Sequence, residues 1–506
     1  MAESSSAEPP RVETRIPGLT LHVPVLYGEE PLLTLARFVV ATRFEDLQPA
    51  TVEFAKRLAI DTLAVTIGGS AQEAIPELVD YVRECGGKEE SHLPFYGGKY
   101  PASSVALALA SMSRALDMGD VHMGWPEQGF SVIGHTAEYT LPTLLAVAGL
   151  VPHLSGKEFL TAFAVGTEVL VRIGAAANNT QSGAIMGLPG NFDQGGWFIF
   201  GAVAAAARLL GLTIEQTRNA FGMARCMTQT HDMKSMSPAS HMVRVHHGFV
   251  AKNAIDVCRL AARGINGPHD AMLGYRGFLF AITRGLWPAK PELLIRDLGK
   301  TWFFTRTCIK PFSACKATHN AATAVLTLEE KHGFTGPDIA SIHVGVSPNT
   351  LELCCRPVEA KWNPQSDQNA QFSLPYVVSV VAFERRFMID GFKAPMRARE
   401  DIRQLVAKVT AEVDPGVGVL DARVTVRLHD GREFSTYCND CKGTPTMPLS
   451  DAEWRDRLLA LCRYAACPIG EQTAEQLLDT LFTLEQSDDI VRDLLVPLTP
   501  AQPIQL

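Results

Sequence analysis

Apolar residues recur at helical spacing through almost all of the first 305 residues, and the period changes only after Lys310. A chain patterned this way builds one large helical body before it meets a sheet. Leu33, Leu35, Phe38 and Val39, then Val52, Phe54, Ala55, Leu58 and Ala59, predict two amphipathic helices within 31–69. Segments 102–116 and 139–150 are rich in Ala and Leu on most faces, which places them inside a large helical domain. Ser155 with Glu158, and Thr213 with Gln216, have capping-box spacing. Between them, GAVAAAARLLGL from Gly201 carries the small residues that let helices approach closely, and 243–264 continues in the same style.

Beyond Lys310, IASIHVGV from Ile339 alternates like a half-buried strand. Runs 422–428 and 432–437 form a hairpin pattern around His429, Asp430 and Gly431. Helical stretches at 318–331, 376–387 and 398–409 intervene, and a helical finish starts at Ser450, whose box partner is Glu453. The expected fold is therefore mainly α with an α+β lid. Residues 1–30, rich in Ser, Glu and Pro, form a disordered leader; 31–305 is the all-helical domain, 306–445 the α+β domain, and 446–506 returns to the helical domain with a Pro-marked tail.

A formal charge of -8 argues against a nucleic-acid partner, and no uninterrupted apolar run reaches the about 20 residues of a membrane helix. Eleven cysteines without a framework suit reduced thiols and a cytoplasmic setting, with a mitochondrial address left open. Cys438 and Cys441 make one CxxC, but Cys462 and Cys467 lie at a spacing that fits zinc poorly, so no metal is expected.

Three clusters carry possible chemistry. Lys310, Lys316 and His319 in CIKPFSACKATH offer a seat for a carboxylate, or else a solvated helix start. Asp117, Asp120 and His122 follow a buried helix, and His135 precedes the next one; they suit acid/base work, and they also look like helix caps. Arg244, His246 and His247 form the third, in which His246 reads equally as a core histidine. Tyr376 opens a helix after Pro375, where a lone Tyr is usually core.

In order along the chain, RALDMGD with HTAEYTLP, GTEVLVRIG, ARLLGLT, VHHGFVAKNA, IKPFSACKATH, QFSLPYVV and KGTPTMPLSDAEW resemble the MmgE/PrpD family over residues 30–480. The resemblance implies a homodimeric, cofactor-free enzyme with an active site between a helical domain and a lid. It places catalytic positions on Asp117, His135, His246, Lys310 and Tyr376. The roles it suggests are His135 as acid/base, Asp117 orienting it, Lys310 and Arg244 as anion clamps, and Tyr376 as proton donor or orienting hydroxyl. Asp120, His122, Lys316 and His319 join Arg244 as substrate contacts.

Departures from the family pattern are apolar. Phe192 stands where many members carry a His, with Asp193 beside it, Val243 where many carry a Lys, and Val121 where a Thr is frequent; Trp125, Pro126 and Phe130 lengthen the loop before His135. Phe192 and Val243 thus become candidate substrate contacts. The expected substrate is a small carboxylic acid, and the leading reaction is dehydration of a citrate-like acid with an apolar substituent, such as an alkylcitrate. Decarboxylation of a cis-aconitate-like acid, epimerisation or isomerisation are the alternatives, since all stabilise a carbanion; a non-catalytic homologue is the reading from another class.

Overall fold

A computed structural model of the chain describes residues 12–16, 19–177, 195–228 and 238–505. The fold is mainly α with a smaller α+β part. Helices Pro31–Ala41, Pro49–Gly69, Ala102–Arg114, Ala137–Ala148, Gly156–Ala177, Phe198–Leu209 and Met242–Ala261 share one large apolar core. The small residues explain how closely they pack: a Cβ added at Gly201 would lie 2.5 Å from Leu170 Cβ, and one at Gly166 2.7 Å from Ala205 Cβ.

The Gly156–Ala177 helix is long and apolar enough to cross a membrane by length and composition, yet it is wholly buried in this core. It also holds an ion pair, Arg172 to Glu168 at 2.7 Å, with both side chains inaccessible to solvent. Arg172 donates to the carbonyls of Arg296 (2.7 Å) and Thr301 (2.8 Å), and Glu168 accepts from the Phe304 N–H (3.0 Å). Buried charges demand partners, so this pair fixes the path of the segment that leads to Lys310.

The α+β part has its own core around Ile342, Val344, Val424, Val426, Val325 and Val378. Its sheet runs in the order Glu433–Cys438, Ala422–Leu428, Ile339–Val346, Val409–Val413, antiparallel except for the last pair. The last strand corrects the expected helix over 398–409: the helix covers only Glu400–Val406. Val409 is the one buried residue of that edge strand, so too little alternation shows in the sequence. The final helices, Asp451–Cys462 and Glu471–Phe482, place Trp454, Leu458, Leu461, Leu477, Leu478 and Leu481 in the first core.

Two further strand pairs depart from the sequence reading. Within the expected disordered leader, Val12–Ile16 pairs with Leu19–Val23. The supposed loop between Asp117 and His135 is a hairpin, Val121–Trp125 against Phe130–Gly134, and the first of these strands also pairs with Thr307–Cys308. A bulge between His122 and Gly124 breaks its period, and Gly129 closes its turn at φ 85°. This small sheet joins the helical body to the strand that delivers Lys310.

Arg457, on the returning helix, locks the junction from behind. It donates to Lys310 O (2.9 Å) and Met118 O (2.7 Å) and pairs with the buried Asp61 at 2.6 Å. Arg457→Met leaves a buried carboxylate and two carbonyls without their donor, and the unfolding free energy in a denaturant titration should drop by about 3–5 kcal/mol. Adding Asp61→Asn should return part of that loss.

Candidate active site

The Ala102–Arg114 helix ends in a turn whose Asp117 has φ 48°, a left-handed conformation that Asp tolerates better than most residues. That turn projects the Asp117 carboxylate between two cations. Lys310 Nζ donates to Asp117 Oδ1 at 2.8 Å and to its carbonyl at 3.0 Å, and the Arg114 guanidinium donates to the same Oδ1. Burial alone would raise the pKa of Asp117, but Arg114 and then Lys310 outweigh it and hold the carboxyl below its ordinary value. Asp117 is a fixed anion. The turn is tied to the junction by Ser313 Oγ (2.5 Å) and Gln371 Nε2 (2.7 Å), both donating to Leu116 O.

Opposite this cluster stands His135, at the end of the hairpin. Its Nδ1 lies 2.7 Å from Asp120 O. A carbonyl only accepts, so Nδ1 carries the proton and Nε2 is the basic nitrogen. Asp120 itself caps the next helix, accepting from Thr136 N (2.7 Å), Thr136 Oγ1 (2.6 Å) and Ala137 N (3.1 Å). Glu138, on the first turn of that helix, reaches His135 Nδ1 at 3.4 Å and His247 Nδ1 at 3.3 Å. Burial pushes its pKa well above the usual range, with Arg114 only partly offsetting it. A Cβ on Gly119 would lie 2.1 Å from Glu138 Oε1, which explains the glycine. Tyr139 stacks on His247 (ring centroids 4.1 Å) and on Phe198 (4.4 Å), and among the described residues its buried hydroxyl has no hydrogen-bond partner.

These groups line one cleft of about 790 Å³ including its open mouth. Its lining combines polar side chains, Arg114, Asp117, Lys310, Lys316, His135 and Tyr139, with apolar ones, Val121, Val132, Phe198, Leu353, Phe372 and Leu420. Counting Arg114 and Lys310 against Asp117 leaves one positive charge, and Lys316 adds a second. Cations in such a lining can pair with anionic groups, and its hydrophobic side chains can pack against hydrocarbon.

Of the sequence candidates, Asp117, His135, Lys310 and Lys316 meet here. Others have different work. His122 is buried with Nε2 on Phe303 O (2.9 Å) and Nδ1 accepting from Gly124 N (3.0 Å), and burial lowers its pKa to about 4. Tyr376 donates to Gly391 O (2.8 Å) within the core, and His319 Nε2 lies 3.0 Å from Ala314 O. Arg244 donates to Glu73 O (2.7 Å), its pKa lowered by burial to about 10. His246 is half-buried and outside the cleft, its ring 6.0 Å from that of His247, the neighbour that touches Glu138. Val243 packs in the second core, and Phe192 and Asp193 lie outside the described residues. At the cleft itself, Arg114 and Tyr139 supply the guanidinium and the hydroxyl, where the sequence reading names Arg244 and Tyr376. Arg114, Glu138 and Tyr139 were absent from the sequence reading, although the spacing Arg114-x-x-Asp117 and His135-x-x-Glu138 was visible.

The chain is similar to known proteins along most of its length. The MmgE/PrpD N-terminal domain profile matches residues 33–288 and the MmgE/PrpD C-terminal domain profile residues 312–482. The chain is 25% identical over 490 residues to the cis-aconitate decarboxylase-like protein oryM of Aspergillus oryzae, covering 90% of this chain and 95% of that one. It is 23% identical over 478 residues to the cis-aconitate decarboxylase of Mus musculus, covering 90% and 91%.

His122 sets an acid limit on stability. Its folded pKa of about 4 lies below the 6.5 of an open chain, so the unfolded state binds protons first. Its contribution is complete above pH 6.5 and is lost as pH falls through that value towards 4. Glu138, raised, acts in the opposite sense as pH rises. In thermal melts across pH 4 to 7, the difference curve between wild type and His122→Asn should isolate the histidine, the variant losing less stability on acidification.

Proposed function

The chain belongs to the MmgE/PrpD family, and from that premise we propose that it is a lyase removing carbon dioxide from a cis-aconitate-like polycarboxylic acid with an apolar substituent. The observation that carries this reading is one cleft lined both by three cations, Arg114, Lys310 and Lys316, and by apolar side chains. The names of both relatives support decarboxylation over the dehydration expected from sequence.

In this reading Lys310, Arg114 and Lys316 hold the carboxylates that stay on the substrate. As the bond to the leaving carboxylate breaks, its electron pair spreads through the adjacent double bond towards a retained carboxylate, where the cations stabilise the charge. A proton then closes the carbanion. Tyr139 faces the cleft as its donor, and His135 is a second once its Nε2 also carries a proton; Glu138, beside Nδ1, helps to hold the ring. Asp117 touches no carbon in this scheme; it keeps Lys310 and Arg114 in place.

Dehydration of an alkylcitrate is the second reading. A base and an acid on the same cleft, His135 Nε2 and the Tyr139 hydroxyl, suit removal of a proton and of a hydroxyl group.

Incubation with cis-aconitate, its alkylated analogues, citrate, 2-methylcitrate and longer alkylcitrates, read by mass spectrometry and NMR, separates the two: carbon dioxide is lost in the first and water in the second. On the accepted substrate, Lys310→Ala and His135→Ala should each lower kcat/KM by about 10²–10⁴, and Tyr139→Phe should lower kcat. Tyr376→Phe should stay near wild type. Unchanged turnover in both Lys310→Ala and His135→Ala would sink this site.

A further inference from the structure

The CxxC of the sequence does not work as a pair. Cys438 donates to Asp440 O at 3.0 Å, whereas the buried Cys441 takes Lys316 Nζ at 2.7 Å from its sulfur. That is closer than a hydrogen bond to sulfur ordinarily sits, and about the span that one bridging oxygen covers. Both ends are held. Cys441 N–H donates to Asp440 Oδ1 (2.8 Å), and two residues on, Gly443 O accepts from Ile309 N (2.8 Å), lacing the loop to the junction. Lys316 starts the turn ahead of the His319–His332 helix.

The position of Lys316 gives the pair both access and consequence. Lys316 lines the catalytic cleft and also a second cavity, of about 1250 Å³ including its mouth, which shares Val132, Val419 and Leu420 with the first. Small oxidants can reach the ammonium end of the pair from that side. Competing thiols are turned elsewhere: Cys438 as above, and Cys308, whose sulfur faces Arg306 O at 4.0 Å.

We propose that Lys316 and Cys441 form an oxidation-linked nitrogen–oxygen–sulfur bridge that removes a positive charge from the wall of the catalytic cleft. The co-reactant is one dioxygen or, for the same four electrons, two molecules of hydrogen peroxide, with three waters leaving instead of one. Written for the neutral amine, the thiol and dioxygen, one N–H, the S–H and the O–O bond break, and one N–O and one S–O bond form. Nitrogen and sulfur each give up two electrons, dioxygen accepts all four, and its second oxygen leaves as water with the two hydrogens. Two molecules of a dithiol reverse the step, releasing the bridging oxygen as water. A bridged nitrogen is weakly basic and holds no full charge, so a substrate carboxylate loses one partner. That kinetic consequence rests on the reading of the cleft as a substrate seat; the bridge itself does not.

The full chain, prepared anaerobically with dithiothreitol, is divided and one half exposed to air or dilute hydrogen peroxide. Intact-mass and peptide mapping should find the peptides of Lys316 and Cys441 joined, with a gain of about 14 mass units, one oxygen less two hydrogens, and dithiothreitol should separate them. Cys441→Ser and Cys441→Ala should lack the product. Oxidation of Cys441 to a sulfenic acid or a disulfide with Lys316 unmodified, or no change in mass at all, would overturn the proposal, whatever the enzyme turns over. With an accepted substrate, the bridged wild type should show KM raised by about tenfold or more, reversibly, while Cys441→Ser keeps the reduced-enzyme KM in both halves.

Discussion

Five charged groups, Asp61, Arg114, Asp117, Lys310 and Arg457, are buried where the helical body meets the α+β part, and the structure is arranged around keeping them satisfied. Stripping water from a charge costs several kcal/mol even after relaxation, so such groups survive only in mutual contact. Apart from Arg114 with Asp117, one helical turn apart, the contacts here cross large sequence distances. Lys310 comes from the junction, Arg114 and Asp117 from the end of a core helix, Asp61 from the middle of another, and Arg457 from the returning C-terminal helix. Burial pushes Asp61 up to about 6 even with Arg457 beside it, a sign that the ion pair falls short of offsetting the loss of water. The same contacts that hold the two parts together also set the position of Lys310 at the cleft.

Much of this was legible before any coordinates. The strand Ile339–Val346 and the pair around Gly431 follow directly from alternation and turn chemistry. The Thr213 and Ser450 capping boxes close in both directions, as their spacing requires. Asp117, His135 and Lys310 stood out because polar residues at the ends of apolar helices need a reason, and the reason is the cleft. Arg114, Glu138 and Tyr139 did not stand out, because each sits inside a run whose neighbours are apolar and its partner lies one helical turn away. A hydrophobic pattern marks which face is buried; it is silent on a charge buried within that face.

The candidates that the cleft does not gather share one feature. His122, His319, Arg244 and Tyr376 are polar, buried and near the right segments, yet each has at least one polar atom engaged with a backbone carbonyl. Satisfying a main-chain group at a bulge or helix end needs the same residue types as binding a substrate. Only placement separates the two uses, and the hairpin that places His122 was hidden by its own bulge.

On the reading of the cleft as a substrate seat, an anion completes it. Three cations line it, Arg114, Lys310 and Lys316, and Asp117 offsets one of them. A second ionised carboxylate at that level would cut the surplus from two charges to one. Among the described residues, Asp120 is spent on the helix cap, and burial raises the pKa of Glu138 well above the ordinary carboxyl range. The burial of Glu138 thus opposes the ionisation that would shrink the surplus, and a cleft of this design depends on that carboxyl staying dry.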